Sequence, residues 1–110
     1  MTEFKSLNEQ ELMKALLQSG DPLVVFLHTP LCGTCKAARR MLEVASHLLP
    51  AELVIAEANI NLLPGLVSQY RISSVPALLV APADRIAEPE IYYSMGSVER
   101  MLEYIRRVTS

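Results

Sequence analysis

The chain has two cysteines, no apolar run near membrane-spanning length and no marked excess of either charge. Two cysteines cannot supply the disulfide scaffold of a small secreted domain. A membrane helix needs about 20 apolar residues in a row, so no span is expected. Ten lysines and arginines face twelve aspartates and glutamates, a formal net charge of -2 with a pI of about 5.6. That balance provides no basic footprint for nucleic acid or an anionic membrane. The opening Met1-Thr2-Glu3-Phe4-Lys5 lacks the basic and apolar regions of a signal peptide, and a cytoplasmic location is expected. Repeats, low-complexity stretches and linkers are absent as well. What is plentiful is apolar material: 51% of 110 residues, enough for the core of one domain over residues 1–110.

Both cysteines stand in Cys32-Gly33-Thr34-Cys35, between an apolar run and a long amphipathic segment. That separation at a helix start puts the two sulfurs on one face, a turn apart and within bonding reach. Unpaired N–H groups at the helix end favour thiolate at the first sulfur. Thiolate is the form that attacks disulfides, and redox chemistry is the reading the motif favours. Inert thiols and a zinc half-site are the competing readings. A structural zinc needs four ligands, and only His28 and His47 are present to join the cysteines. His47 falls roughly 20 Å along the helix, too far to close a site in one chain. Neither a metal nor a cofactor within the domain is therefore expected. A dimer sharing a metal or a 2Fe–2S cluster through two such pairs stays open.

Hydrophobic period sets out the remaining elements. Phe4-Lys5 begins a short strand, and Asn8 with Glu11 opens a helix as a capping box. Leu12, Ala15, Leu16 and Ser19 mark its inner face, and Gly20 is expected to end it. Leu23-Val24-Val25-Phe26-Leu27 is a strand covered on both faces. From Gly33 the period becomes helical through Cys35, Ala38, Met41, Leu42, Ala45, Leu48 and Leu49, with Pro50 as the stop. Leu53 to Ala58 is a strand, Asn61 to Tyr70 holds a short helix, and Ala77 to Ala81 is a strand. Glu90 to Ser94 completes a hairpin, and Ser97 caps a last helix with Val98, Met101, Leu102 and Ile105 inside. The order is β-α-β-α-β-α-β-β-α, an α/β class in which the β-α-β centre makes parallel strands.

This order, with C-x-x-C at the mouth of the second strand, resembles the thioredoxin fold: a central mixed β-sheet flanked by helices. Asn59-Ile60-Asn61, Pro64-Gly65, Tyr70-Arg71-Ile72 and Val75-Pro76-Ala77-Leu78-Leu79-Val80 look like the family's segment leading into its cis-proline loop. Gly96 matches the glycine beside its active site. The resemblance implies that Cys32 is the exposed nucleophile, Cys35 the shielded resolving thiol, and Pro76 cis and facing them. It also implies that Val75 pairs its backbone with an extended substrate segment. Leu31, Gly33, Thr34, Val75, Met95 and Gly96 then form the active-site loop and docking patch. Protein disulfides are the implied substrates, with a reductase or a low-molecular-weight thiol for regeneration. The rival class is a thioredoxin-like binding or redox-sensing module that docks a partner without turnover.

Several residues depart from the family pattern. Leu31 replaces a tryptophan, Thr34 the proline between the cysteines, and Arg40 the helix-kinking proline. Phe26 aligns with the family's buried aspartate and Glu57 with a nearby lysine. Glu57, flanked by alanines on an interior strand, is either a desolvated proton acceptor for Cys35 or a carboxylate at a wet margin. His28 is either an ordinary strand-end residue or a second group for proton transfer or thiolate tuning. Lys36, Arg39 and Arg40 read as a solvated helix face, with Lys36 near enough to support the thiolate, and Tyr70 reads as core.

Overall fold

The computed structural model describes residues 4–109; Met1 to Glu3, the start of the polar N-terminal stretch, and Ser110 lie outside the described residues. The elements are β1 (Lys5–Ser6), α1 (Glu9–Leu17), β2 (Leu23–His28), α2 (Gly33–Ser46), β3 (Val54–Asn59), α3 (Pro64–Tyr70), β4 (Ala77–Ala81), β5 (Glu90–Tyr92) and α4 (Val98–Thr109). A 3-10 turn, Ile60–Leu62, precedes α3. The five strands form one sheet in the order β1-β3-β2-β4-β5. β3 runs parallel to β1 and β2, while β4 is antiparallel to β2 and to β5. This is the mixed sheet expected of a thioredoxin fold.

β2 is central, which explains its unbroken apolar sequence: Leu23 to Leu27 are all buried. Its alternate side chains feed two clusters. Val24 and Phe26 join Ala38, Leu42, Leu78, Val80, Met101 and Ile105 on the side of α2 and α4. Leu23, Val25 and Leu27 join Leu12, Leu16, Leu63, Leu66, Ala77 and Leu79 on the side of α1 and α3. Each fully buried large side chain contributes roughly 1.5–3 kcal/mol of transfer free energy.

Register then decides what faces α2. Phe26 lies between Glu57 of β3 and Leu78 of β4, so all three project from one face of the sheet. Glu57 is thereby turned towards α2, not towards the sheet margin. His28, two residues beyond Phe26, shares that face, and the two rings stack at 5.9 Å.

Helix starts follow the sequence more closely than helix ends. Asn8 and Glu11 exchange both bonds of the capping box, at 2.8 and 3.0 Å. Ser97 accepts from Arg100 N–H at 3.1 Å. α1 stops at Leu17, three residues short of Gly20, and Ser19 is exposed outside it. Arg85 satisfies the Ala15 carbonyl of the last turn, and Gly20, at φ +133°, bonds to Ala83 O. That backbone conformation suits glycine alone. α2 ends at Ser46, with Leu48 and Leu49 in tight turns ahead of Pro50, because the residue before proline avoids helical geometry. β5 is two residues shorter than the expected Glu90–Ser94. Tyr70 is half-buried against the second cluster, and burial pushes its hydroxyl pKa upward. No described helix is long and apolar enough to cross a membrane.

Candidate active site

Cys32 occupies the N-cap of α2 and Cys35 its first turn, with Cα atoms 5.1 Å apart and the two sulfurs joined in a disulfide. The pair is asymmetric. Cys32 is half-buried, whereas Cys35 is 3% exposed and packed with Phe26, Ala38 and Leu42. Cys35 N–H donates to Cys32 Sγ at 3.1 Å, and Thr34 Oγ1 lies 3.3 Å from the same sulfur. An N-cap sulfur is thus held where the helix concentrates unpaired donors, a position that stabilises negative charge once the bridge is opened.

Around this pair the loops bring together only part of the expected patch. Leu31, 98% exposed, stands directly before Cys32, and Gly33 and Thr34 are also exposed. The Val75–Pro76 peptide bond is cis, the isomer implied by the resemblance. Val75 packs against the same cluster as Cys32, and both Val75 and Pro76 remain partly accessible. Gly96 is exposed, but Met95 is buried at 8% and belongs to the core, so it drops out of the docking patch. Its side chain is part of the apolar cluster that also holds Phe26, Leu78 and Met101. Arg40 is exposed on a helix that runs without interruption from Gly33 to Ser46.

Beneath the disulfide is an open pocket of about 220 Å³, lined by Phe26, His28, Thr29, Pro30, Cys32, Cys35, Lys36, Arg39 and Glu57. Glu57 is neither solvated nor alone. Its side chain is 19% exposed, and Arg39 grips both oxygens, Nε to Oε1 at 3.3 Å and Nη2 to Oε2 at 2.7 Å. His28 Nε2 lies 3.8 Å from Oε1. Arg39 also donates to Glu43 and lies over the Phe4 ring, 4.8 Å from its centre. The Glu57 bond holds the Arg39 guanidinium above its usual range, an effect that burial partly offsets.

Arg39 is the residue that sequence reasoning missed. It reads as part of a solvated face, yet it ties α2 to β3 beside the cysteines. The available signal was its position four residues after Cys35, which places both on one helix face. His47 caps the opposite end of α2. Among the described residues, no three His, Cys, Asp or Glu side chains are grouped to hold a metal ion.

Comparison with known proteins agrees with this geometry. The family model for thioredoxin matches residues 3–107. Thioredoxin-like protein YusE of Bacillus subtilis is 33% identical over 106 residues, covering 96% of this chain and 94% of that one. The chloroplastic M-type thioredoxin of Spinacia oleracea is 26% identical over 77 residues, 70% of this chain and 42% of its own. Among solved structures, chloroplastic thioredoxin z has the same fold, with a TM-score of 0.80, 17% identity and coverage of 98% of this chain and 96% of that chain. With a family match across nearly its whole length and a cysteine pair bonded at the head of α2, the chain belongs to the thioredoxin family.

Proposed function

We infer that the protein reduces or exchanges protein disulfides through the Cys32/Cys35 dithiol. The observation that carries this reading is the asymmetry of the pair: an accessible sulfur at the N-cap of α2 and a buried one a turn further in. Cys32 thiolate attacks one sulfur of a substrate disulfide and forms a mixed disulfide. Cys35 then attacks Cys32 Sγ, releasing the reduced substrate and leaving the Cys32–Cys35 bridge. Leu31, Gly33, Thr34, Val75, Pro76 and Gly96 form the surface on which an extended substrate segment lies, its backbone pairing with Val75. A reductase or a low-molecular-weight thiol restores the dithiol in a reducing, cytoplasmic setting.

The test is turnover of a protein disulfide under thiol regeneration, together with alkylation of the reduced protein near neutral pH. Cys32→Ser should abolish turnover, and Cys32 should be modified well ahead of Cys35. Binding of the substrate without its reduction would instead make the domain a docking or redox-sensing module, and full activity in that variant would overturn the assignment of Cys32 as the nucleophile.

A further inference from the structure

The family's usual buried acid is absent from this chain, since Phe26 holds its place, yet Cys35 must still lose a proton before it can resolve a mixed disulfide. A thiolate in apolar surroundings is poorly solvated, so the acceptor matters. We propose that His28 is that acceptor, with Glu57 and Arg39 as the positioning residues that hold its ring over the cysteine pocket. The proposal rests on the exchange reading above and names the group that completes its second step.

The placement follows from β2 and β3. His28 is carried onto the α2 face by the strand alternation that also carries Phe26, and it stacks on the Phe26 ring. Glu57 comes from β3 to the same face and lies 3.8 Å from His28 Nε2, within ion-pair reach but beyond a hydrogen bond. A carboxylate on that side favours the proton at Nε2 and leaves Nδ1 to accept. Among the described residues no hydrogen bond reaches the His28 ring, which is one-quarter exposed. The pocket that His28 shares with Cys35 has about 220 Å³, room for a bridging water.

Glu57 is the weaker acceptor on the same geometry. Both of its oxygens are taken by Arg39, and a proton arriving there would displace a charge-assisted hydrogen bond. The remaining charged or titratable groups lining the pocket are Lys36 and Arg39 of α2, both cationic, and the two cysteines. Neither cation can accept a proton.

The step balances without a further reactant. In the mixed disulfide, Cys35 gives its thiol proton to His28 Nδ1, directly or through one water. The Cys35 thiolate attacks Cys32 Sγ; the bond from Cys32 to the substrate sulfur breaks as the Cys32–Cys35 bond forms. The substrate leaves as a thiolate and takes a proton from the imidazolium or from solvent. The dithiol is oxidised by two electrons and the substrate disulfide is reduced by two.

Rapid mixing of the reduced protein with a symmetric fluorogenic disulfide of a small thiol tests this. Attack by Cys32 releases the first thiol and resolution by Cys35 the second, so the two steps appear as two phases. His28→Gln should lower the second phase relative to the first by roughly 10- to 100-fold, at or below the low end for a positioned base, and added imidazole should restore part of the loss. Glu57→Gln should cost less, and the double variant should be no slower than His28→Gln alone, because Glu57 acts through His28. Retention of the parent ratio in His28→Gln overturns the proposal. A larger loss of the second phase in Glu57→Gln than in His28→Gln overturns it too and makes the carboxylate the acceptor. A first phase that persists in Cys32→Ser defeats the exchange reading itself, and the proposal with it.

Discussion

At the scale of single residues, the environment of Cys32 Sγ sets its reactivity. Its nearest donors are the Cys35 N–H and the Thr34 hydroxyl, the latter 3.3 Å away. Thr34 stands where the family has proline, which has no side-chain hydroxyl to offer. Thr34→Val should therefore slow iodoacetamide modification of Cys32 near neutral pH roughly two- to fivefold, as expected for losing a hydrogen bond of about 0.5–1 kcal/mol. An unchanged rate would show that the hydroxyl serves another partner after reduction. The two cysteines were legible from sequence because their chemistry depends on a fixed local spacing. Arg39 was not, since its meaning lies in Glu57, 18 residues away on another element, and in the register that turns Glu57 towards α2. Met95 was misread for a similar reason: whether a loop methionine faces a partner or a core depends on packing that no local pattern specifies.

At the scale of elements, α4 and β5 meet through Tyr92 and Tyr104, whose rings stack at 4.0 Å. Burial, followed by the hydrogen bond to Glu90, pushes the Tyr92 hydroxyl from its ordinary 10.0 up to about 12. The folded state therefore keeps a proton that the unfolded chain releases. That contribution to stability is complete below about pH 10 and disappears as pH rises towards 12. Urea midpoints measured across this window should fall more steeply for the parent than for Tyr92→Phe; parallel curves would mean that Tyr92 has no part in the alkaline loss. Element order was legible because β2 is apolar from Leu23 to Leu27 and α2 and α4 keep a helical stripe, patterns imposed by burial on two faces and on one. Element ends were less so. Gly20 and Pro50 mark where a helix cannot continue, but α1 and α2 stop earlier, at Leu17 and Ser46. Arg85 reaching Ala15 and the tight turns before Pro50 decide those ends, and only the folded chain supplies them.

For the molecule as a whole, stability rests on two apolar clusters, one on each face of the sheet, and Cys35 is a minor member of one of them. Opening the bridge removes no apolar side chain from either cluster. Treatment with dithiothreitol should thus leave the near-ultraviolet circular dichroism and the dispersion of amide NMR resonances essentially native. Collapse of either signal would mean that the bridge holds the fold together and is not free to cycle. The central claim, that Cys32 attacks and Cys35 resolves, is tested most directly by mass spectrometry of mixed disulfides. Removing the resolving thiol should strand the intermediate. Reduced Cys35→Ser, mixed with a disulfide-bonded protein and then acid-quenched, should carry that protein covalently on Cys32. Cys32→Ser under the same treatment should carry none. An adduct on Cys35 in Cys32→Ser at a comparable yield, or no adduct in Cys35→Ser, would contradict the account.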